Sequence, residues 1–126
     1  MTEKVLSAAE IGAAQDVVIR RVRVPEWGGV VCVRGMTGDE RDAFEAEQSR
    51  LQGPEGRDMQ SLRARLLERC LCDEQGRPLY AQEAYRALGA RAAKVLDRLY
   101  ELASRLSGFG KREEAELLGE SAGDPS

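Results

Sequence analysis

The chain of 126 residues contains no histidine. Imidazole is the usual general base, proton shuttle and nitrogen ligand near neutral pH. Its absence removes Ser-His-Asp and Cys-His nucleophile arrangements and every His-ligated zinc, haem or non-haem iron site. Aromatic residues are nearly as scarce, with two Phe, three Tyr and one Trp against 13 Gly. A stacking platform for single-stranded nucleic acid needs more rings than that. Long apolar runs are missing as well. None approaches the ~18 residues of a membrane span, so no membrane partner is expected. What is left is 42% hydrophobic and 33% charged, the composition of a soluble globular domain. Taken together, the absences argue against an enzyme.

Cysteine is present in a number that suits no framework. Cys32, Cys70 and Cys72 form an odd set. Cys70-x-Cys72 is not a redox Cys-x-x-Cys, and three thiols without histidine make a poor zinc set. The start of the chain lacks a basic-then-apolar leader, so a reduced cytosolic setting is expected. Cys70 falls on the apolar face of a helix and reads as a buried structural thiol. No metal or other cofactor is expected.

The net charge of -3 is unevenly placed. Residues 1–110 carry 17 basic and 17 acidic side chains. The tail holds Lys111 and Arg112 against Glu113, Glu114, Glu116, Glu120 and Asp124. A neutral body with an acidic end lacks the broad footprint of a DNA binder. Basic residues are mostly Arg, which suits planar recognition of carboxylate or phosphate but also follows, more simply, from codon composition.

Along the chain, residues 1–16 are small and polar. Ser7 and Glu10 are spaced as a capping box, predicting one short helical turn in a flexible arm. Residues 17–35 read as a β-hairpin. Val18, Arg20, Val22 and Val24 alternate with Val17, Ile19, Arg21 and Arg23, Pro25 ends the run, and Gly28-Gly29 permits a turn with positive φ. The arginines on this edge would blunt uncontrolled pairing.

A first long helix starts at Thr37, with Glu40 completing a capping box. Its apolar stripe is thin (Ala43, Phe44, Ala46, Leu51), and Asp39, Asp42, Glu45 and Glu47 should face solvent. QGPEGRD, 52–58, is a loop. A second helix over about 59–72 places Leu62, Leu66, Leu67, Cys70 and Leu71 opposite Arg63, Arg65 and Glu68. A turn at 73–76 and a short helix over about 81–88 follow. The last long helix, about 90–107, repeats Ala92, Val95, Leu96, Leu99, Leu102, Ala103 and Leu106 at helical spacing and stops at Gly108. Residues 111–118 can add a helical turn, and 119–126 read as disorder. The prediction is an α+β domain over 17–110, an N-terminal β-hairpin followed by three to four packed helices, with an arm before it and an acidic, disordered tail over 111–126.

Few residues suggest chemistry. Asp39, Glu40 and Asp42 are explained by a helix N-terminus, and Gly35-x-x-Gly38 lacks the Lys-Ser/Thr ending of a Walker loop. No catalytic residue is assigned. Five apolar residues are candidates for partner binding: Trp27, Phe44, Leu99, Leu106 and Phe109. Trp27 at the hairpin tip either folds back as a lid on the core or stands out as an anchor. Phe109, between two glycines, either meets a partner or docks on the last helix. The short helix and the one after it also imitate a helix-turn-helix, with Arg91, Lys94 and Arg98 facing phosphates. The missing basic footprint weighs against nucleic acid as a partner.

The stretch VRVPEWGGVVCVRGMTGDERDAFE, Val22 to Glu45, resembles the N-terminal half of tail assembly chaperones of long-tailed bacteriophages. The similarity lies in a short strand, a Pro-Glu-Trp-Gly-Gly turn, a strand ending in Arg-Gly and a Thr-Gly-x-Glu-Arg helix start. It continues through LRARLLERCLCDEQGRPLY, Leu62 to Tyr80, and VLDRLYELASRLSG, Val95 to Gly108.

The resemblance implies a non-catalytic protein of the host cytoplasm, absent from the mature virion. It implies binding to the tape measure protein, which is kept soluble while the tail tube protein polymerises around it. It also implies a longer, frameshifted product that recruits the tube subunit, diverging near Lys111. The thin stripe of the first helix and the wide faces of the second and last could offer grooves to client helices. Self-association through the hairpin edge is a further expectation. The competing readings are a small DNA-binding regulator and a head–tail structural component.

Overall fold

The computed structural model describes residues 3–51, 62–81 and 84–109. The 52–58 loop, the expected starts of the second and third helices at 59–61 and 82–83, and the tail expectations from 111 onward lie outside the described residues. The elements run α1 (Ala8–Ala13), β1 (Ile19–Val24), β2 (Gly29–Arg34), α2 (Gly38–Leu51), α3 (Leu62–Cys70), β3 (Leu71–Cys72), α4 (Tyr85–Gly89) and α5 (Ala93–Leu106). The α+β class is as expected, with four packed helices after the hairpin. A fifth, α1, buries none of its residues.

The hairpin forms where valine and arginine alternate. Ile19 pairs with Arg34 and Val24 with Gly29, in continuous antiparallel register. A single 3₁₀ turn, Pro25–Trp27, connects the strands, and Gly28 closes it at φ 78°. That left-handed backbone is open to glycine at no steric cost. Val24 and Val33 are completely buried on the helix side of the hairpin.

A two-stranded sheet is marginal alone, and here a third strand joins it. The sheet order is β1-β2-β3, with Val33 opposite Leu71. The second helix was expected to run through residue 72. It ends instead at Cys70, and Leu71–Cys72 turns outward to pair with the edge of β2. Both residues stay buried, so the apolar run continues while its backbone changes form.

Capping boxes start α1 and α2 as predicted. Ser7 and Glu10 exchange bonds at 3.2 and 2.9 Å. Thr37 Oγ1 accepts from the Glu40 amide at 3.2 Å, and the Thr37 amide donates to Glu40 Oε1 at 2.8 Å. The core lies between the sheet and α3 and α5. Leu66, Leu67, Leu71, Leu99 and Val95 are its largest fully buried members, with Cys70 and Ala103 among them. The wide apolar faces of α3 and α5 are therefore spent on each other, and they offer no open groove. Burial pushes the Cys70 thiol up to about 11, in keeping with a structural role.

Gly35, just after β2, meets the last turn of α5. A Cβ there would collide with the Leu106 carbonyl. The glycine is needed for this close approach, where the sequence alone suggested only a turn. Gly35→Ala should cost roughly 3 kcal/mol, because the obstacle is backbone and cannot rotate away. Urea unfolding of the variant measures this; a loss under ~0.5 kcal/mol would mean that α5 shifts freely.

Candidate functional site

The five predicted partner residues fall into three places. Trp27 sits in the hairpin turn, half-buried against the core. Glu26 beside it receives both Nη atoms of Arg98 on α5, at 3.2 and 3.0 Å. This pair holds Glu26 near a pKa of about 2. It also occupies one of the three cations of the helix-turn-helix reading. Leu106, the last residue of α5, and Phe109 just beyond it are both half-buried against the core. The Arg41 guanidinium stacks 4.0 Å from the Phe109 ring centroid. Phe44 and Leu99 are core residues, Leu99 with no exposed surface at all. In this conformation neither reaches a partner; they hold α2 and α5 in place beneath the surface.

Between α2, α3 and the segment around Tyr80 lies a groove of about 690 Å³. Its walls are charged. Glu47 of α2, expected to face solvent, reaches across to α3. Its Oε1 accepts from Arg65 Nη1 at 3.1 Å and its Oε2 from Arg69 Nη2 at 2.9 Å. Arg65 and Arg69 in turn lie over the rings of Tyr85 and Phe44, at 4.1 and 5.3 Å. Glu68 is buried, and its Oε1 accepts the Ala84 amide at 2.7 Å, capping the start of α4. Arg65 and Glu68 therefore do not form a solvated face. A polar residue such as Glu47 looks exposed at helical spacing until a second helix supplies its counter-charge.

A second charged joint lies at the β2–α2 corner. Arg34 is buried and pairs with Glu40. Burial alone would raise the Glu40 carboxyl, but Arg34 and the Thr37 amide outweigh it and hold it below the ordinary value. Glu47 behaves alike: burial opposes its ionisation, and Arg69 and Arg65 overcome that.

The apolar surface left open lies elsewhere. Val5, Leu6 and Ile11 of the N-terminal segment are exposed, Val5 by 92%. Val17, Val18 and Val30 are exposed along the hairpin, and Leu79 and Tyr80 beyond β3. The sequence signal for them was weak. Isolated apolar residues in polar segments carry no periodicity to place them on a face. Among the described residues, no group of three or more Cys, Asp and Glu could hold a metal ion. Nor is any helix among them long and apolar enough to cross a membrane.

Glu47 sets a pH dependence. Its folded value is below the ordinary 4.5, so its contribution is complete above that value and lost as pH falls through the folded one. The thermal midpoint should therefore drop as pH falls below the ordinary 4.5 and through the lower folded value. Glu47→Gln should lower stability at pH 7 by about 1–2 kcal/mol, since the pair is only partly buried, and should make that acid limb shallower. Calorimetry across pH checks both; an unchanged acid limb would exclude Glu47 from it.

Comparison with known proteins adds the family. Residues 9–118 match the family model described as phage tail assembly chaperone. The fold is similar to that in "Structure of bacteriophage HK97 tail assembly chaperone", with a TM-score of 0.54 and 19% sequence identity. That similarity covers 82% of this chain and 95% of the other. No curated protein matches the chain. With most of its length accounted for by the family model, the chain belongs to the phage tail assembly chaperone family.

Proposed function

We propose that the protein binds the tape measure protein of its phage and keeps it soluble while tail tube protein polymerises around it. The observation that carries this reading is the family match over residues 9–118. The surface is compatible with it. A protein that shields a long apolar client must expose apolar groups and stay soluble itself. Here Val5, Leu6 and Ile11, with Val17, Val18 and Val30, stand among arginines and glutamates on a body whose first 110 residues balance in charge. Trp27 in the hairpin turn, and Leu106 and Phe109 at the C-terminal end of α5, keep part of their surface open and are proposed as client contacts. Phe44 and Leu99 support them from the core.

The role is non-catalytic and needs no cofactor. It is carried out in the host cytoplasm, and the protein leaves before the virion is complete. Tail tube protein is the second partner, recruited through a longer, frameshifted product.

Co-expression with the tape measure protein of the same phage should raise that protein's soluble yield several-fold and allow the two to co-purify. No rescue and no co-purification would overturn the reading. Purified virions analysed by mass spectrometry should lack this chain; its presence there would favour a head–tail component.

Self-association is proposed through β1, whose outer edge has no partner strand among the described residues. Light scattering behind size exclusion should give masses above the 13.9 kDa of one chain, rising with concentration. A constant monomer would remove this proposal and leave the client reading standing.

A further inference from the structure

Cys32 on β2 and Cys72 on β3 are directly opposite each other in an antiparallel pair. Opposite residues of such a pair project to the same face, with Cα atoms about 4.5–5.5 Å apart. A disulfide spans Cα separations of about 4.4–6.8 Å, so the backbone already holds the two within bonding range. The next pair along, Val33 and Leu71, is buried against the helices. Side chains alternate along a strand, which places Cys32 and Cys72 on the outer face of the sheet.

Both thiols are free, and they are 7% and 3% exposed. The Cys72 thiol is pushed up by burial first and then by Cys32 beside it. Cys70 lies in the core instead, with its Sγ 4.0 Å from Ser107 Oγ. Pro78 bridges the other side of Cys72, and the turn at Gly76 comes up to the Ile19 side chain. β3 is two residues long, and a short edge strand opens locally at low cost.

We propose that Cys32 and Cys72 form a reversible dithiol that closes to an intramolecular disulfide by exchange with a small-molecule disulfide such as glutathione disulfide, tying β2 to β3. The step balances without metal or oxygen. Cys32, the more exposed thiol, gives its proton to solvent, and its thiolate attacks one sulfur of glutathione disulfide. A protein–glutathione bond forms, and one glutathione leaves as thiolate and takes up a proton. The Cys72 thiolate then attacks the Cys32 sulfur and releases the second glutathione. Two protein thiols are oxidised, and one glutathione disulfide is reduced to two thiols. This site stands independently of the client reading, because it rests on strand register alone.

The test uses the full chain, reduced and folded. It is incubated with glutathione disulfide, quenched in acid, then denatured and alkylated with N-ethylmaleimide. The expected product is ~2 Da lighter than the reduced chain before alkylation. It carries one alkylated thiol, at Cys70, and dithiothreitol reverses it. Tandem mass spectrometry of tryptic peptides 24–34 and 70–86, the latter kept whole by the Arg77-Pro78 bond, should place the link at Cys72. Cys32→Ser and Cys72→Ser should each abolish the product, and Cys70→Ala should leave it. A link through Cys70, a glutathione adduct that never closes, or three alkylated thiols after prolonged incubation would overturn the proposal. The mapping on the unaltered chain decides the matter even if a variant fails to fold.

Discussion

At the end of β2 the backbone of Gly35 lies so close to the Leu106 carbonyl that no side chain fits between them. Five further contacts converge on this corner. The Met36 amide donates to the buried Ser107 Oγ at 3.0 Å. Arg41 reaches the Ser107 carbonyl at 3.4 Å while covering the Phe109 ring. The buried Arg34 turns to Glu40, and Glu40 in turn caps α2 through Thr37. A strand end, a helix start and a helix end are thus fixed by one set of atoms. Two turns back along α5, Arg98 holds Glu26 of the hairpin turn. The hairpin is pinned along α5 at both ends, and Val24 and Val33 are driven onto the helices between those pins.

The helices are held by different forces. α5 buries Val95, Leu96, Leu99 and Ala103, an apolar seam whose burial dominates its stability. α2 contributes Phe44 to the core and otherwise relies on Glu47 with Arg65 and Arg69, and on Glu40 with Arg34. Partly buried ion pairs offset much of their Coulomb attraction with desolvation. They specify where α2 sits more than they bind it tightly. In a hierarchy of local openings, α2 separates from the domain at lower cost than α5. The guanidiniums suit this role because they form bidentate or forked bonds and still stack on Tyr85 and Phe44.

The parts legible in the sequence were those with local causes. Alternating valine and arginine, a proline stop and a glycine pair announced the hairpin. Ser7 with Glu10 and Thr37 with Glu40 announced two helix starts, since capping acts over three residues. The seam of α5 followed from its spacing. The illegible parts have causes distant in the chain. Leu71–Cys72 continues an apolar run, and only the open edge of β2 makes it a strand. Gly35 is ordinary turn chemistry until Leu106 comes against it. Glu47, Arg65 and Glu68 are ordinary helix surface until α2 and α4 approach α3. Exposure of apolar residues shows the same limit. Periodicity found Leu99, which the core consumes, and missed Val5, Leu6 and Val30, which the fold leaves open.

That redistribution bears on how a chaperone of this family can work without histidine. Glu26, Glu40 and Glu47 are held below the ordinary carboxylate value, and Cys70 and Cys72 above the ordinary thiol value. Each is moved away from neutrality, and no imidazole is present to titrate there. The charges that position α2 and the hairpin therefore stay constant across physiological pH. The exposed valines, leucine and isoleucine carry no titratable group either, so this apolar surface is the same on both sides of neutrality. Contacts made by such groups are non-directional and individually weak, so a competing surface displaces them one at a time.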